Sequence, residues 1–296
     1  MSNELTRLGI VGTGALGSVL ARRLADCGYR VEALINRTVE KAARIAPMVG
    51  AAVVSSRVAD LPADLDAVFL CVPDDNLEAL AEELSHLPRS WSGCTVVHTS
   101  GALASDVLAP VAAEGAHVLS FHPIQTFSLN STPDTFEGIY VDVEGDERAV
   151  AFGERLALGI GATPLVITKE GKGRLHLAAS ILSNYSVVLA SMAGEVMKIV
   201  GYDWDRTGAI FQPLVARTWQ NLLSGTPARV LTGPVVRGDV KTVELHLETL
   251  KEHLPHLLEP YAALAEEAAR LSLESGRLDR EAANALEKTL KGHRKA

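Results

Sequence analysis

The stretch that most constrains this chain is Gly12–Thr13–Gly14–Ala15–Leu16–Gly17. It stands directly behind the short apolar run Leu8–Val11 and ahead of Ser18–Cys27, where apolar residues recur at helical spacing. A lone GxGxxG is a weak signal, because glycines cluster in many loops. Set between a strand and a helix, and followed by a second strand-like run at Arg30–Ile35, it predicts a βαβ unit that binds a dinucleotide. Gly12 permits the tight turn, Gly14 lets the backbone approach a pyrophosphate, and Gly17 lets the helix pack closely on the strand. Thr13, Ala15 and Leu16 complete the phosphate cradle, where the helix N-terminus offers unpaired amides.

The end of the second strand predicts which dinucleotide. An NAD site usually carries Asp or Glu there, accepting from the ribose 2′-hydroxyl. This chain has Asn36–Arg37–Thr38 instead. Arg37 can pair with a 2′-phosphate, and Asn36 and Thr38 can hydrogen-bond to it. A carboxylate would repel that phosphate, so the expected cofactor is NADP(H). Val72–Pro73 ends another strand-like run and suits a loop near the nicotinamide ribose, or an ordinary strand-ending turn.

Strand-like and helical runs alternate through the first half. Ala67–Val72, Cys94–His98, Ala116–Phe121, Gly138–Val143 and Ala162–Ile167 read as strands. Leu77–Leu87 and Arg148–Leu158 read as helices. This rhythm predicts an α/β fold, a mainly parallel, doubly wound sheet covered by helices. After Thr168 it stops, and Leu175–Val200, Asp203–Leu223, Asp239–Leu254, Pro255–Glu274 and Asp279 to about Leu290 all favour helix. Two domains follow, 1–167 for the nucleotide and 168–296 all-α.

At 296 residues and 47% hydrophobic, the chain has material for two cores. A net charge of −8 and the lack of basic runs interleaved with aromatics argue against nucleic acid. The basic cluster Lys291–Lys295 is short and expected to be solvated. Cys27, Cys71 and Cys94 lack metal-ligand or redox spacing and read as small buried residues in a reducing cytoplasm. The twenty residues Leu175–Gly194 carry no formal charge. His176, Asn184, Tyr185 and four serines interrupt them, which favours a buried core helix over a membrane span. No metal site, HExxH or GxSxG elbow is visible, and no membrane partner is expected.

Ligands of open parallel sheets bind outside the carboxyl ends of the strands. His98–Thr99–Ser100–Gly101 and His122–Pro123 fall at two such ends, either as turn caps or as cleft-lining groups. His176, Ser180 and Asn184 are spaced four apart and share one polar face of an apolar helix. That face can serve a substrate, the nicotinamide amide or a neighbouring domain. Arg237, in Thr232–Asp239, can bind an anionic substrate or an acidic partner, and Asp239 can cap the helix that follows.

Together these motifs resemble the Rossmann-like, DUF2520-domain proteins, a branch near pyrroline-5-carboxylate reductase, the β-hydroxyacid dehydrogenases and F420-dependent NADP oxidoreductases. The resemblance is carried by GTGALG at Gly12–Gly17, HTSGA at His98–Ala102, HP at His122–Pro123, HLAASILSN at His176–Asn184 and LTGPVVRGD at Leu231–Asp239. It implies an N-terminal Rossmann domain and a helical C-terminal domain like that of 6-phosphogluconate dehydrogenase, often a dimerisation element. One departure matters. β-Hydroxyacid dehydrogenases carry a catalytic lysine four residues before an asparagine, and if Asn184 is that asparagine, the lysine position holds Ser180. A serine cannot protonate an alkoxide as an ammonium can, so His176, one turn earlier, is the replacement acid.

The expected activity is therefore an NADP-dependent oxidoreductase moving a hydride between nicotinamide and a small carbonyl or imine substrate in the interdomain cleft. His176 would be the acid/base, Asn184 would orient substrate or nicotinamide, and His98, Ser100 and His122 would line the cleft. Arg237 would hold a substrate carboxylate. The alternative is a non-catalytic NADP(H) sensor. The apolar helices after residue 175 predict a homodimer.

Overall fold

A computed structural model describes residues 6–294. Arg7–Val11 (β1), Ala15–Asp26 (α1) and Arg30–Ile35 (β2) form the expected βαβ unit. Val39–Val49 (α2) leads to a short strand, Val53–Ser55 (β3). Ala67–Leu70 (β4), Leu77–Ser85 (α3), Thr95–His98 (β5), Ala109–Ala113 (α4) and His117–Pro123 (β6) continue the alternation. Tyr140–Gly145 (β7), Glu147–Gly159 (α5) and Thr163–Val166 (β8) complete a sheet of order β3-β2-β1-β4-β5-β6-β7-β8. All neighbours pair in parallel except β6 with β7.

The strands read as continuous apolar runs because both faces of this sheet are covered. Successive side chains still go to opposite faces. Leu8, Ile10 and Phe69 pack into a core with α1 and α5, whereas Val11, Val68 and Leu70 pack into a second core with α3 and α4. Chain direction around β1 decides where a ligand can sit. β2 lies on one side of β1 and β4 on the other, so the connections leave in opposite senses and open a crevice at the carboxyl end.

The single antiparallel step also has a consequence for the chemistry. The β6–β7 register sets Phe121 opposite Val143, His122 opposite Asp142 and Pro123 opposite Val141. Residues directly opposite share a face and touch. An imidazole and a carboxylate are thereby paired by strand register alone.

Lys169–Leu182 (α6) follows, capped by the Thr168 hydroxyl, which accepts from the Gly171 amide. The chain divides into two compact units, Met1–Asn184 and Tyr185–Ala296. The boundary expected at 167 thus falls one helix earlier than the observed division. Lys172 accounts for the difference: it is buried against the sheet and ties α6 to the first unit.

The second unit takes in Asn184–Ile199 (α7) after its first residue, then Trp204–Ser224 (α8), Pro227–Val230 (α9), Val240–His253 (α10), Leu258–Glu274 (α11) and Arg280–Arg294 (α12). Asp203 and Asp239 cap α8 and α10 through side-chain oxygens that accept from Arg206 and Thr242 amides. Val243, Leu247, Ala262, Ala265, Leu286 and Leu290 join α10, α11 and α12 into one core.

The expected helix Leu175–Val200 differs in two ways. It is interrupted at Ser183, so α6 carries His176 and Ser180 while Asn184 opens α7. Nor is it a buried core helix. Leu177, Ile181, Leu182, Tyr185, Val187 and Val188 are all exposed, and by length and composition alone the run Lys169–Ile199 could cross a membrane. Of the basic terminal cluster, Lys291 pairs with Glu287, while Lys295 lies outside the described residues. Cys94 is buried, and Cys27 and Cys71 are half-buried.

Candidate functional site

The glycine loop satisfies each steric requirement of a dinucleotide cradle, each in a different way. Gly12 has φ +98°, and a Cβ there would stand 2.2 Å from the Cys71 carbonyl oxygen. A Cβ on Gly17 would stand 2.0 Å from the Gly12 carbonyl oxygen, so close packing of α1 on β1 forbids any side chain. Gly14 is different: φ is −73° and nothing lies within 4 Å of its absent Cβ. Nothing in the protein demands glycine there, so the space above it suits a ligand. The N-terminus of α1 has no side-chain cap and no acidic residue in its first turn, which leaves amides and a positive dipole end for phosphate. The Thr13 hydroxyl is buried with no partner beside them.

Asn36 holds this loop in shape. Its Oδ1 accepts from the Thr13 amide at 3.0 Å and its Nδ2 donates to the Thr38 carbonyl at 2.8 Å. The amide expected to meet a 2′-phosphate is therefore occupied in shaping the cradle. Arg37 and Thr38 are exposed beside it. A cavity of about 360 Å³ runs along the crevice, lined by Gly12, Gly14, Asn36, Arg37, Val72 and Pro73. Ser56 lines it too, a residue sequence reasoning passed over because the short β3 carried no recognisable strand pattern.

A second group of side chains gathers at the same end of the sheet. Val11 of β1 is level with Leu70 of β4, and Leu70 with His98 of β5. His98 is in turn level with Ser120 of β6. At ~4.8 Å per strand, β5 and β6 stand about 10 and 14 Å from β1. Here Asp142 Oδ2 is 2.7 Å from His122 Nδ1, and Asp142 Oδ1 accepts from Lys172 Nζ at 2.6 Å. The Lys172 ammonium also donates to the Ser100 carbonyl at 3.0 Å. Lys172 and Asp142 are each 1% exposed, whereas the His122 side chain keeps 17%. The His176 ring meets His122 edge to face with centroids 6.0 Å apart, and its buried Nδ1 has no partner. Both rings converge on Gly101, where a Cβ would stand 2.5 Å from His176 Nδ1 and 2.8 Å from His122 Nε2.

The other predicted cleft residues have structural work. His98 is fully buried, so it does not line a cleft. Its Nδ1 accepts from the Ser100 amide at 3.2 Å. Burial, reinforced by the Lys172 charge, pushes its pKa down to about 4, so it is neutral at ordinary pH. The Ser100 hydroxyl donates to Asp74 at 2.8 Å and accepts from the Ala102 and Leu103 amides, closing the turn. Ser180 is half-buried on α6, Asn184 is exposed, and Arg237 is exposed in a turn of the second unit. Among the described residues no group of three or more His, Cys, Asp or Glu is placed to hold a metal.

Sequence reasoning missed Asp142 and Lys172. Asp142 sits in an apolar strand that signals only burial, and Lys172 lies in the polar first turn of a helix, where a lysine reads as solvated. Burial lowers the Lys172 pKa, with Asp142 opposing that shift.

Two family models match the chain. One, a Rossmann-like domain, covers residues 2–123, and the other, a domain of unknown function (DUF2520), covers residues 139–268. The chain joins a Rossmann-like domain to a DUF2520 domain. The resemblance carried by the motifs is thereby borne out, and so is the order of a nucleotide-binding fold followed by helices. His98 and His122 fall in the Rossmann-like match, whereas Asp142, Lys172 and His176 fall in the DUF2520 match. No curated protein sequence matches. Among solved structures, a provisionally named NADP oxidoreductase from Bacteroides fragilis is 25% identical, with TM-score 0.78 over 91% of this chain and 100% of its own. Protein TM1727 from Thermotoga maritima is 27% identical, with TM-score 0.72 over 89% of this chain and 99% of its own. An imine reductase from Myxococcus stipitatus, solved with NADP+, shares the fold at 16% identity, TM-score 0.60, over 98% and 94%.

Proposed function

We propose that this Rossmann-like/DUF2520 protein is an NADP(H)-dependent oxidoreductase acting on a small carbonyl or imine compound. The carrying observation is Gly14, whose open space has no use within the protein, at the same sheet end as two imidazoles, one of them, His122, held by a buried ion pair. The B. fragilis protein, 25% identical along its full length and provisionally named an NADP oxidoreductase, supports the reading. A bound nicotinamide supplies or accepts the hydride. This chain would hold its phosphates at the α1 amides and Gly14, and Arg37 at the cavity rim would meet a 2′-phosphate. The imidazoles of His122 and His176 would handle the proton that accompanies the hydride.

The test mixes the protein with NADPH or NADH and a panel of aldehydes, ketoacids and cyclic imines, following nicotinamide absorbance. Turnover is expected, with NADPH preferred at least tenfold and the preference lost in Arg37→Ala. Saturable NADPH binding without turnover across the panel would instead favour a sensor.

We also propose a homodimer through the helical segment. In α8, Ile210, Leu214, Val215, Trp219 and Leu223 are exposed, as are Tyr185, Val187, Val188 and Leu189 in α7. Helices of this kind gain most of their stability from packing an apolar face. Two faces of like character on one chain suit a second copy. Sedimentation equilibrium should give a dimer at micromolar protein, and a monomer insensitive to Leu214→Glu would sink the idea.

A further inference from the structure

We infer that Lys172 and Asp142 are positioning residues that make His122 the imidazole exchanging a proton with substrate, with Nδ1 committed to Asp142 and Nε2 left to work. The inference rests on the oxidoreductase reading above and adds to it the assignment of the acid/base. His176, the group the helix spacing favoured, is held by no carboxylate, and its Nδ1 is buried. His122 is fixed from two directions. The β6–β7 register sets it opposite Asp142, and Asp142 Oδ2 lies 2.7 Å from Nδ1. An ionised carboxylate can only accept, so Nδ1 carries the hydrogen and Nε2 is the free valence of the neutral ring.

Lys172 does two things in this arrangement. Its ammonium, 2.6 Å from Asp142 Oδ1, gives the buried carboxylate its counter-charge. By occupying Oδ1, it also leaves Asp142 one oxygen, Oδ2, for the imidazole. Its second bond, to the Ser100 carbonyl, anchors the Ser100–Gly101 turn on which the Nε2 edge of His122 rests. A side chain at Gly101 would fill the place where the rings converge.

The balance is simple in the reducing direction. A bound reduced nicotinamide would supply two electrons and one hydrogen, as hydride, to the substrate carbon. The Nε2–H bond of the His122 imidazolium breaks, and an O–H or N–H bond forms on the substrate heteroatom. The ring is left neutral with Nδ1–H still on Asp142, and Nε2 takes its next proton from water. The titratable groups around the ring and its ion pair include Asp142 and Glu144 on β7, Lys172 and His176 on α6, His98 on β5 and Asp74 beyond β4.

Nitrogen-15 NMR of the imidazoles tests this on the whole protein without substrate. The wild type should show His122 as the Nδ1–H tautomer with Nε2 titrating. Lys172→Met should move that midpoint upward by a unit or more, because the carboxylate then faces the imidazolium alone. His122→Gln, which leaves the ion pair intact, should lower kcat about 10²–10⁴-fold while the KM for NADPH changes less than threefold. An Nε2–H tautomer at His122, an unmoved midpoint in Lys172→Met, or a larger kcat loss in His176→Gln than in His122→Gln each overturns the assignment. Should Lys172→Met fail to fold, the wild-type spectrum and His122→Gln decide it. An inactive protein that still shows the tautomer and the shift would overturn the oxidoreductase reading and leave the positioning device standing.

Discussion

Asp142→Asn is expected to cost about 3–5 kcal/mol of stability, because it strands the Lys172 ammonium in a site 1% exposed. In the native protein that ammonium has a counter-charge at 2.6 Å and a carbonyl at 3.0 Å. The asparagine keeps a hydrogen-bond acceptor and removes the charge, so the loss measures electrostatics more than geometry. Denaturant unfolding read by Trp91, buried in the first unit, reports it once Trp204 and Trp219 are replaced by Phe.

The pH dependence of that variant has a definite sign. Burial lowers the folded-state pKa of Lys172 below the ordinary 10.5, and losing Asp142 lowers it further. The unfolded chain then binds more protons than the folded one between those two values, so stability climbs as pH rises toward 10.5. Lys172→Met with Asp142→Asn should recover most of the loss, since no uncompensated charge remains. A single variant that loses less than 1 kcal/mol would show that Lys172 is not charged against Asp142 in the folded protein, and a stability flat from pH 7 to 10 would show that its folded-state pKa is not depressed.

This pair also shows where sequence reading stops. The glycine loop, the strand rhythm and the helical second half were legible because each obeys a local rule: a motif at fixed spacing, apolar runs bounded by turns, and 3.6-residue periodicity. The Asn36–Arg37–Thr38 triplet was legible as chemistry, although the Asn36 amide turned out to bind the loop itself. The partnership of His122 with Asp142 was not legible, because it comes from the register of an antiparallel step between residues twenty positions apart. Lys172 was hidden for a similar reason. The first turn of an amphipathic helix is usually wet, and only docking of α6 on the sheet makes that turn dry. Periodicity also read the helix across Ser183 as continuous and buried, since spacing alone does not tell an exposed apolar face from one packed on a core. Long-range pairing leaves no local trace.

The glycine loop gives the second large effect, and here two substitutions of one kind should part company. Gly17→Ala places a methyl 2.0 Å from the Gly12 carbonyl oxygen, in the loop after β1, and 2.9 Å from Cys71 Cβ, at the end of β4. The first of these is backbone, so no rotamer change relieves it. Overpacking against fixed atoms costs about 1–3 kcal/mol and more when backbone must move; at least 3 kcal/mol is expected here, with NADPH binding lost alongside. Gly14→Ala meets nothing within 4 Å and needs no left-handed backbone, so its stability should change by less than about 1 kcal/mol. Yet its methyl enters the space above the α1 amides, and NADPH affinity should fall at least thirtyfold by fluorescence titration. Unfolding and titration on the two variants therefore separate a glycine kept for packing from one kept for a ligand. If Gly14→Ala binds NADPH as tightly as the wild type, the space above it is not the phosphate cradle, and the cofactor assignment loses its main physical support.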